Sequence, residues 1–358
     1  MIHKACVACC FFDEVVLNQT DIDLEESQPM QTKFADFILN ASNRVAFTIG
    51  VYAGLEITGQ SVQVAVSDAA VQAEAAWVLH RRFNTPVLLT AMDLSVEAEL
   101  FGCQIRFEEG EIPTVIGRRA TNAAEIEALP RPRVDAGRAI VNLDVTASLV
   151  KQGGAAPVLG GMIGPFSLAG RIFGVSEALE ASALEPTLMH SLLEQVTDFL
   201  TDYALAFRNA GATGVVMAEP LAGLLSPRGL GKFSAPYVRR IAEAVQTEDF
   251  SLVLHNCGAR LVHLPQVLQS GVEVYHFGAP MDILSALQQV DGSVVLGGNL
   301  DPTAVFHNGD PASVRRQTTA LLAQTQPYKN FVLSSGCDIP PGTPIENIAA
   351  FYTTVQTS

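Results

Sequence analysis

Eight short apolar runs, separated by stretches that mostly read as helix, limit what this 358-residue chain can fold into. They fall at 45–51, 86–93, 157–163, 214–219, 251–257, 272–277, 293–299 and 330–337. Runs without polar alternation belong to strands covered on both faces, which is the signature of parallel sheets. Eight of them joined by helices predict an α/β fold that closes on itself, a (β/α)8 TIM barrel. A doubly wound sheet is the competitor, but no G-x-G-x-x-G follows the first run.

The intervening segments carry helix punctuation. From Pro186, the residues Leu192, Val196, Phe199, Tyr203 and Phe207 recur at spacings of three and four, and Gly211 supplies a stop. Asp310-Pro311 reads as an N-cap followed by proline at the first helical position. Thr343, Pro344 and Glu346 read as a capping box, and Ser67 and Ser234 as further N-caps. Residues 1–30 lack periodicity and read as an N-terminal extension, leaving 31–358 as one catalytic barrel domain. The segment 103–140, with "EEGEIPTVIG" and "LPRPR", reads as an insertion formed by a hairpin and a loop.

A net charge of −15 argues against nucleic acid and anionic membrane as partners, since both select basic surfaces. No uninterrupted apolar stretch reaches the roughly 18 residues of a spanning helix. The most apolar region, 157–175, is broken by Pro165, Arg171 and several glycines. The N-terminus lacks the basic and cleavage-site features of a signal peptide. Six cysteines, three of them clustered at Cys6, Cys9 and Cys10, do not make a disulfide framework, so a reducing cytoplasm is expected. "CVACC" has no suitably spaced partner pair and is expected to hold no site.

In a barrel of this kind the chemistry sits where the strands end. Asp93, Glu219, His255, Cys257, His276, Asn299, Asp301 and Cys337 all fall at or just after the ends of apolar runs. His255 and Cys257, two apart, face the same side of a strand. Cys337 ends the eighth run, close enough across a narrow lumen to join them. H-x-C alone is a weak signal, because free cysteines are often small buried hydrophobes. With Cys337 added, two thiolates and one imidazole form a soft donor set suited to zinc, with a fourth position open to substrate. Two thiolates and a neutral imidazole leave such a site uncharged, which keeps an incoming sulfur nucleophilic. A cationic three-histidine site would better suit water activation. The donor set therefore points to alkyl transfer to sulfur rather than hydrolysis.

The other strand-end groups have two readings each. Glu219 is either an exchangeable fourth ligand or a rim carboxylate. Asp93 and His276 either face the substrate, in catalytic roles, or support the groups that do. Asn299 either contacts substrate or caps the turn after its strand. His80, His190 and His263 lie in helical stretches and read as structural or surface residues. "SPRGLGKF" does not fit the phosphate-loop frame.

Six segments together resemble the uroporphyrinogen decarboxylase superfamily, and within it the cobalamin-dependent methyltransferases that pass methyl groups to coenzyme M. They are "DLSVEAELFGCQIRFEE" at 93–109, "GPFSLAGRIFG" at 164–174, "EPLAGLLSP" at 219–227, "HNCG" at 255–258, "LGGNLDP" at 296–302 and "GCDIPPGTPIENI" at 336–348. The resemblance covers the chain from about residue 30 onward. It implies a (β/α)8 barrel and zinc held by His255, Cys257 and Cys337. It also implies methyl transfer between a methylcorrinoid, usually carried on a partner protein, and a small thiol. The acidic surface would help select that protein. The acceptor could be coenzyme M or another thiol, with a folate as a further alternative. Asp93 matches an aspartate shared by both branches and does not separate them. The decarboxylase branch acts on a polycarboxylate and draws arginines from its N-terminal region; residues 1–80 here hold one arginine, Arg44, beside Lys4 and Lys33. A non-catalytic corrinoid- or metal-binding module is a third expectation to be tested.

Overall fold

A computed structural model describes residues 32–358. The proposed extension over 1–30, with Cys6, Cys9 and Cys10, lies outside the described residues. Every one of the eight apolar runs contains a strand: β1 (Ala46–Phe47), β2 (Leu88–Leu89), β3 (Val158–Ile163), β4 (Gly214–Ala218), β5 (Ser251–Asn256), β6 (Val274–Phe277), β7 (Val295–Leu300) and β8 (Phe331–Ser335). They form one parallel sheet in the order β1-β8-β7-β6-β5-β4-β3-β2. The two end strands face each other: Thr48, Gly50 and Val51 after β1 and Leu88 and Leu89 of β2 line one small cavity. The sheet thus curls into the expected (β/α)8 barrel.

Side-chain alternation divides the core in two. Val216, Val253, Val274, Val295 and Val332 share one apolar cluster with Phe47 and Leu89, in the barrel lumen. Their neighbours Val215, Leu252, Leu254, Tyr275, Leu296 and Leu333 pack into a second cluster with the surrounding helices. Successive strand residues point to opposite faces, so both clusters require unbroken apolar runs. Each valine so buried contributes roughly 1.5–3 kcal/mol relative to exposure.

The helix expectations hold with three adjustments. The helix Pro186–Asn209 buries Leu192, Val196, Phe199, Tyr203 and Phe207, and Gly211 follows it at φ +93. Asp310 caps the helix Pro311–Thr325 in a capping box closed by Ser313. The helix Ala69–Phe83 is capped by Asp68 rather than Ser67, because the longer acidic side chain reaches the N–H groups of Ala70 and Val71. The box at Thr343 does not form: its hydroxyl donates instead to the Pro340 carbonyl, and the helix begins at Ile345. Ser234 precedes its helix without capping it and donates to Glu219.

The predicted insertion contains an antiparallel hairpin, Gln104–Arg106 with Thr114–Ile116, and a short helix, Ala123–Glu127. Its far end is fixed by Arg138, which pairs with Asp93 after β2 and with Glu99. The residues Ile112, Pro113, Thr114 and Val115 reach over the mouth of the barrel.

Candidate metal centre and substrate cavity

Strand register carries the lumen pattern up to the site. Val253 lies beside Val274, and two residues on, His255 lies beside His276. Both histidines therefore point inward, as does Cys257 beyond the end of β5. Cys337 leaves β8 two residues past Ser335. Among the described residues, His255, Cys257 and Cys337 form the one group able to share a metal ion, with ligand atoms within 4.8 Å of one another.

The histidine pair has a definite hydrogen-bond logic. The Nδ1 atoms of His255 and His276 lie 2.8 Å apart. Burial, reinforced by the neighbouring imidazole, pushes His276 well below its ordinary pKa. With His276 accepting at Nδ1, His255 would carry its proton on Nδ1 and present its Nε2 lone pair to an ion. That Nε2 is buried with no hydrogen-bond partner. An orphaned acceptor beside two sulfurs is unfavourable in itself and is what a metal ion would satisfy. The two sulfurs act on each other: the contact with Cys337 lowers Cys257 to about 7, and the same contact raises Cys337 to about 12. Two sulfurs and one nitrogen fit a zinc ion better than magnesium or calcium, which take oxygen. His276→Ala is expected to weaken metal retention roughly 10- to 100-fold, because the His255 ring loses its orienting partner. Competition with a chromophoric chelator reads this directly.

The remaining sequence candidates do not join the three donors in the metal-capable group. Glu219 is fully buried after β4. Its two oxygens accept from the Phe166 N–H at 2.8 Å, from the Ser167 N–H at 2.9 Å and hydroxyl at 2.6 Å, and from Ser234. It therefore anchors the N-terminus of the helix Pro165–Phe173, where a carboxylate suits the helix dipole. Gly164 permits this approach, since a Cβ there would lie 2.2 Å from Glu219 Cγ. Asp93 accepts from the Ser95 N–H and hydroxyl and pairs with Arg138, while Met92, Leu94 and Ser95 line the cavity around it. Asn299 donates to the Gly278 and Met281 carbonyls and so holds the loop after β6. Asp301 caps the turn that follows β7. His263 bonds the Arg260 N–H and the Leu225 carbonyl, a structural role.

The three donors open onto a cavity of about 290 Å³. Ile49, Met92, Leu94 and Ala218 make its walls apolar, and the hairpin residues 112–115 form its roof. Two lining groups were not singled out from sequence as site residues: Asp338, whose carboxyl burial pushes well above its usual range, and Arg171. Asp338 follows Cys337 directly in "GCDIPPG". Arg171 had one signal, a lone cation in the most apolar stretch of the chain.

Residues 44–358 match the family described as uroporphyrinogen decarboxylase (URO-D). The methylcobamide:CoM methyltransferase MtbA of Methanosarcina mazei is 31% identical over 309 residues, covering 85% of this chain and 89% of the relative. A uroporphyrinogen decarboxylase of Xylella fastidiosa is 27% identical, covering 77% and 81%. A solved methyltransferase from Methanosarcina mazei superposes with a TM-score of 0.82 over 91% of this chain and 98% of its own, at 22% identity, which establishes the fold. The chain belongs to the uroporphyrinogen decarboxylase family.

Proposed function

We infer that this protein is a zinc-dependent methyltransferase that moves a methyl group between a methylcorrinoid, carried by a partner protein, and a small thiol. The convergence of His255, Cys257 and Cys337 at the head of a small cavity carries this reading. A relative whose name specifies methylcobamide and CoM supports it. The arginine-poor N-terminal region and the apolar cavity speak against a polycarboxylate. Among the described residues no helix is long and apolar enough to cross a membrane. A cytoplasmic setting fits free thiols at the site.

The residues divide the work. His255, Cys257 and Cys337 would hold the ion, with His276 fixing the orientation of the His255 ring. When bound there, zinc supplies a Lewis acid that favours the thiolate form of an incoming thiol at neutral pH. The apolar walls exclude water from the sulfur. A corrinoid ring would be too large for a cavity of about 290 Å³ and would deliver its methyl group from the mouth. The thiolate lone pair then forms the S–CH3 bond as the Co–CH3 bond breaks. Both electrons of that bond remain on cobalt, which passes from Co(III) to Co(I), and the thiol proton leaves to solvent.

Purified protein with methylcobalamin, or with a methylated corrinoid protein, and a panel of thiols tests this. Loss of the methyl-Co(III) absorbance with matching thioether formation is the expected result. Corrinoid or zinc binding with no conversion in either form would make the protein a binding module. Carbon dioxide release from uroporphyrinogen would restore the decarboxylase reading.

A further inference from the structure

Charge is distributed unevenly around the barrel mouth. The chain holds 37 acidic against 22 basic residues, yet no Asp or Glu stands between Glu219 and Glu243, or between Asp249 and Glu273. These two segments follow β4 and β5 at the metal end of the barrel, where Pro220 and Cys257 both line the cavity. They are tied to each other. A Cβ on Gly223 would stand 2.7 Å from the Gly258 carbonyl carbon, and His263 Nε2 lies 3.2 Å from the Leu225 carbonyl. The helix Pro227–Phe233 packs against both segments. The exposed charges on this joined surface are Arg228, Lys232 and Arg260. Among the described residues none of the three makes an ion pair, whereas Arg240, farther along, is held by Glu194 and Asp198. Leu224 and Val262, on the same two segments, are each 63% exposed. The roof segment carries the opposite sign, with Glu109 and Glu111 exposed.

Single exposed apolar residues are ordinary; two of them among unpaired cations, on a chain of net charge −15, are not. We propose that Leu224 and Val262, flanked by Arg228, Lys232 and Arg260, dock the protein that carries the methylcorrinoid, and that its docking face is acidic around an apolar centre. The proposal rests on the methyl-transfer reading and specifies the partner's surface. A corrinoid presented at the mouth brings its carrier against the adjoining rim, and this surface is continuous with Cys257 through Gly258. The acidic roof would repel the same face, so the two signs together would fix the orientation of approach.

The test uses zinc-loaded full-length protein, a thiol acceptor and three methyl donors: free methylcobalamin, a methylated corrinoid carrier protein with an acidic cobalt-side face, and that carrier with its face carboxylates changed to amides. Arg228→Glu/Lys232→Glu/Arg260→Glu should lower kcat/KM for the acidic carrier roughly 10- to 100-fold, within the range of electrostatic steering, and leave turnover of free methylcobalamin unchanged. The loss should shrink for the amide carrier, and near 1 M salt, where the Debye length is about 3 Å. Leu224→Ser/Val262→Ser should weaken carrier binding chiefly through faster dissociation. Arg315→Glu/Arg316→Glu, two exposed cations on the helix Pro311–Thr325, should change nothing. An unchanged kcat/KM for the acidic carrier in the triple variant, or an equal loss with free methylcobalamin, overturns the proposal. Carrier binding that the triple variant abolishes, with no methyl loss from any donor, would leave the docking surface standing and remove the methyltransferase. Turnover of free methylcobalamin with no carrier bound would do the reverse.

Discussion

Cys337→Ser is expected to release zinc and stop methyl transfer. A structural zinc site is worth about 10–16 kcal/mol, shared among its four ligands, so loss of one thiolate should weaken the ion roughly 10²- to 10³-fold. Cys257→Ser should behave alike, because both sulfurs lie within 4.8 Å of the other donors. Two controls set the scale. Cys103 is a buried free cysteine of the insertion, its thiol pushed up to about 11 by desolvation. Cys103→Ala should keep the metal, as should Cys9→Ser. Zinc per chain by elemental analysis, set beside the rate of methyl-Co(III) loss, checks all four. Equal zinc loss in the controls would mean that the wrong cysteines have been assigned.

Arg138→Ala should cause the largest loss of folding stability among the charged residues near the site. Arg138 and Asp93 pair with side-chain exposures of 10% and 3%, so removing the arginine strands a carboxylate in a medium that cannot solvate it. Breaking one partner of such a pair costs about 3–5 kcal/mol. The same change frees the end of the insertion that roofs the cavity. Urea unfolding monitored at the single tryptophan should show a lower midpoint with little change in slope. The double variant Asp93→Asn/Arg138→Met should recover much of the loss, since it leaves no unpaired charge buried; Glu99, the other partner of Arg138, is 35% exposed and stays solvated. Arg171→Met should cost far less, since no internal ion pair is broken. A midpoint shift worth less than about 1 kcal/mol in Arg138→Ala would assign the pair to the weak class of exposed salt bridges.

The parts of this molecule readable from sequence are those set by local pattern. The eight runs had to be strands because both of their faces are covered, one by the lumen valines and the other by the helices. His255 and Cys257 could be placed on one face because strand periodicity is fixed. Asp310 could be read as a cap because Pro311 follows it at the first helical position. What escaped depends on partners distant in the chain. Glu219 looks from sequence like a free strand-end carboxylate, and only the fold brings the N–H groups of Phe166 and Ser167 onto it. Asp93 is tied to Arg138, 45 residues away and across an insertion of irregular sequence. Thr343 gives its hydroxyl to the Pro340 carbonyl three residues back and Ser234 gives its own to Glu219, so neither caps its helix. Arg171 was visible as an interruption in an apolar stretch, but that it lacks a partner can be known only once its surroundings are packed.

The most direct test of the account is zinc K-edge absorption on the purified protein, before and after addition of 2-mercaptoethanesulfonate. Two sulfurs at about 2.3 Å with one nitrogen at about 2.0–2.1 Å are expected at first, the geometry of a zinc site with Cys2His donors. Thiol should raise the sulfur count to three. A zinc edge with no sulfur in its shell, or a shell unmoved by saturating thiol, would contradict the claim that these donors hold an ion open to an incoming sulfur.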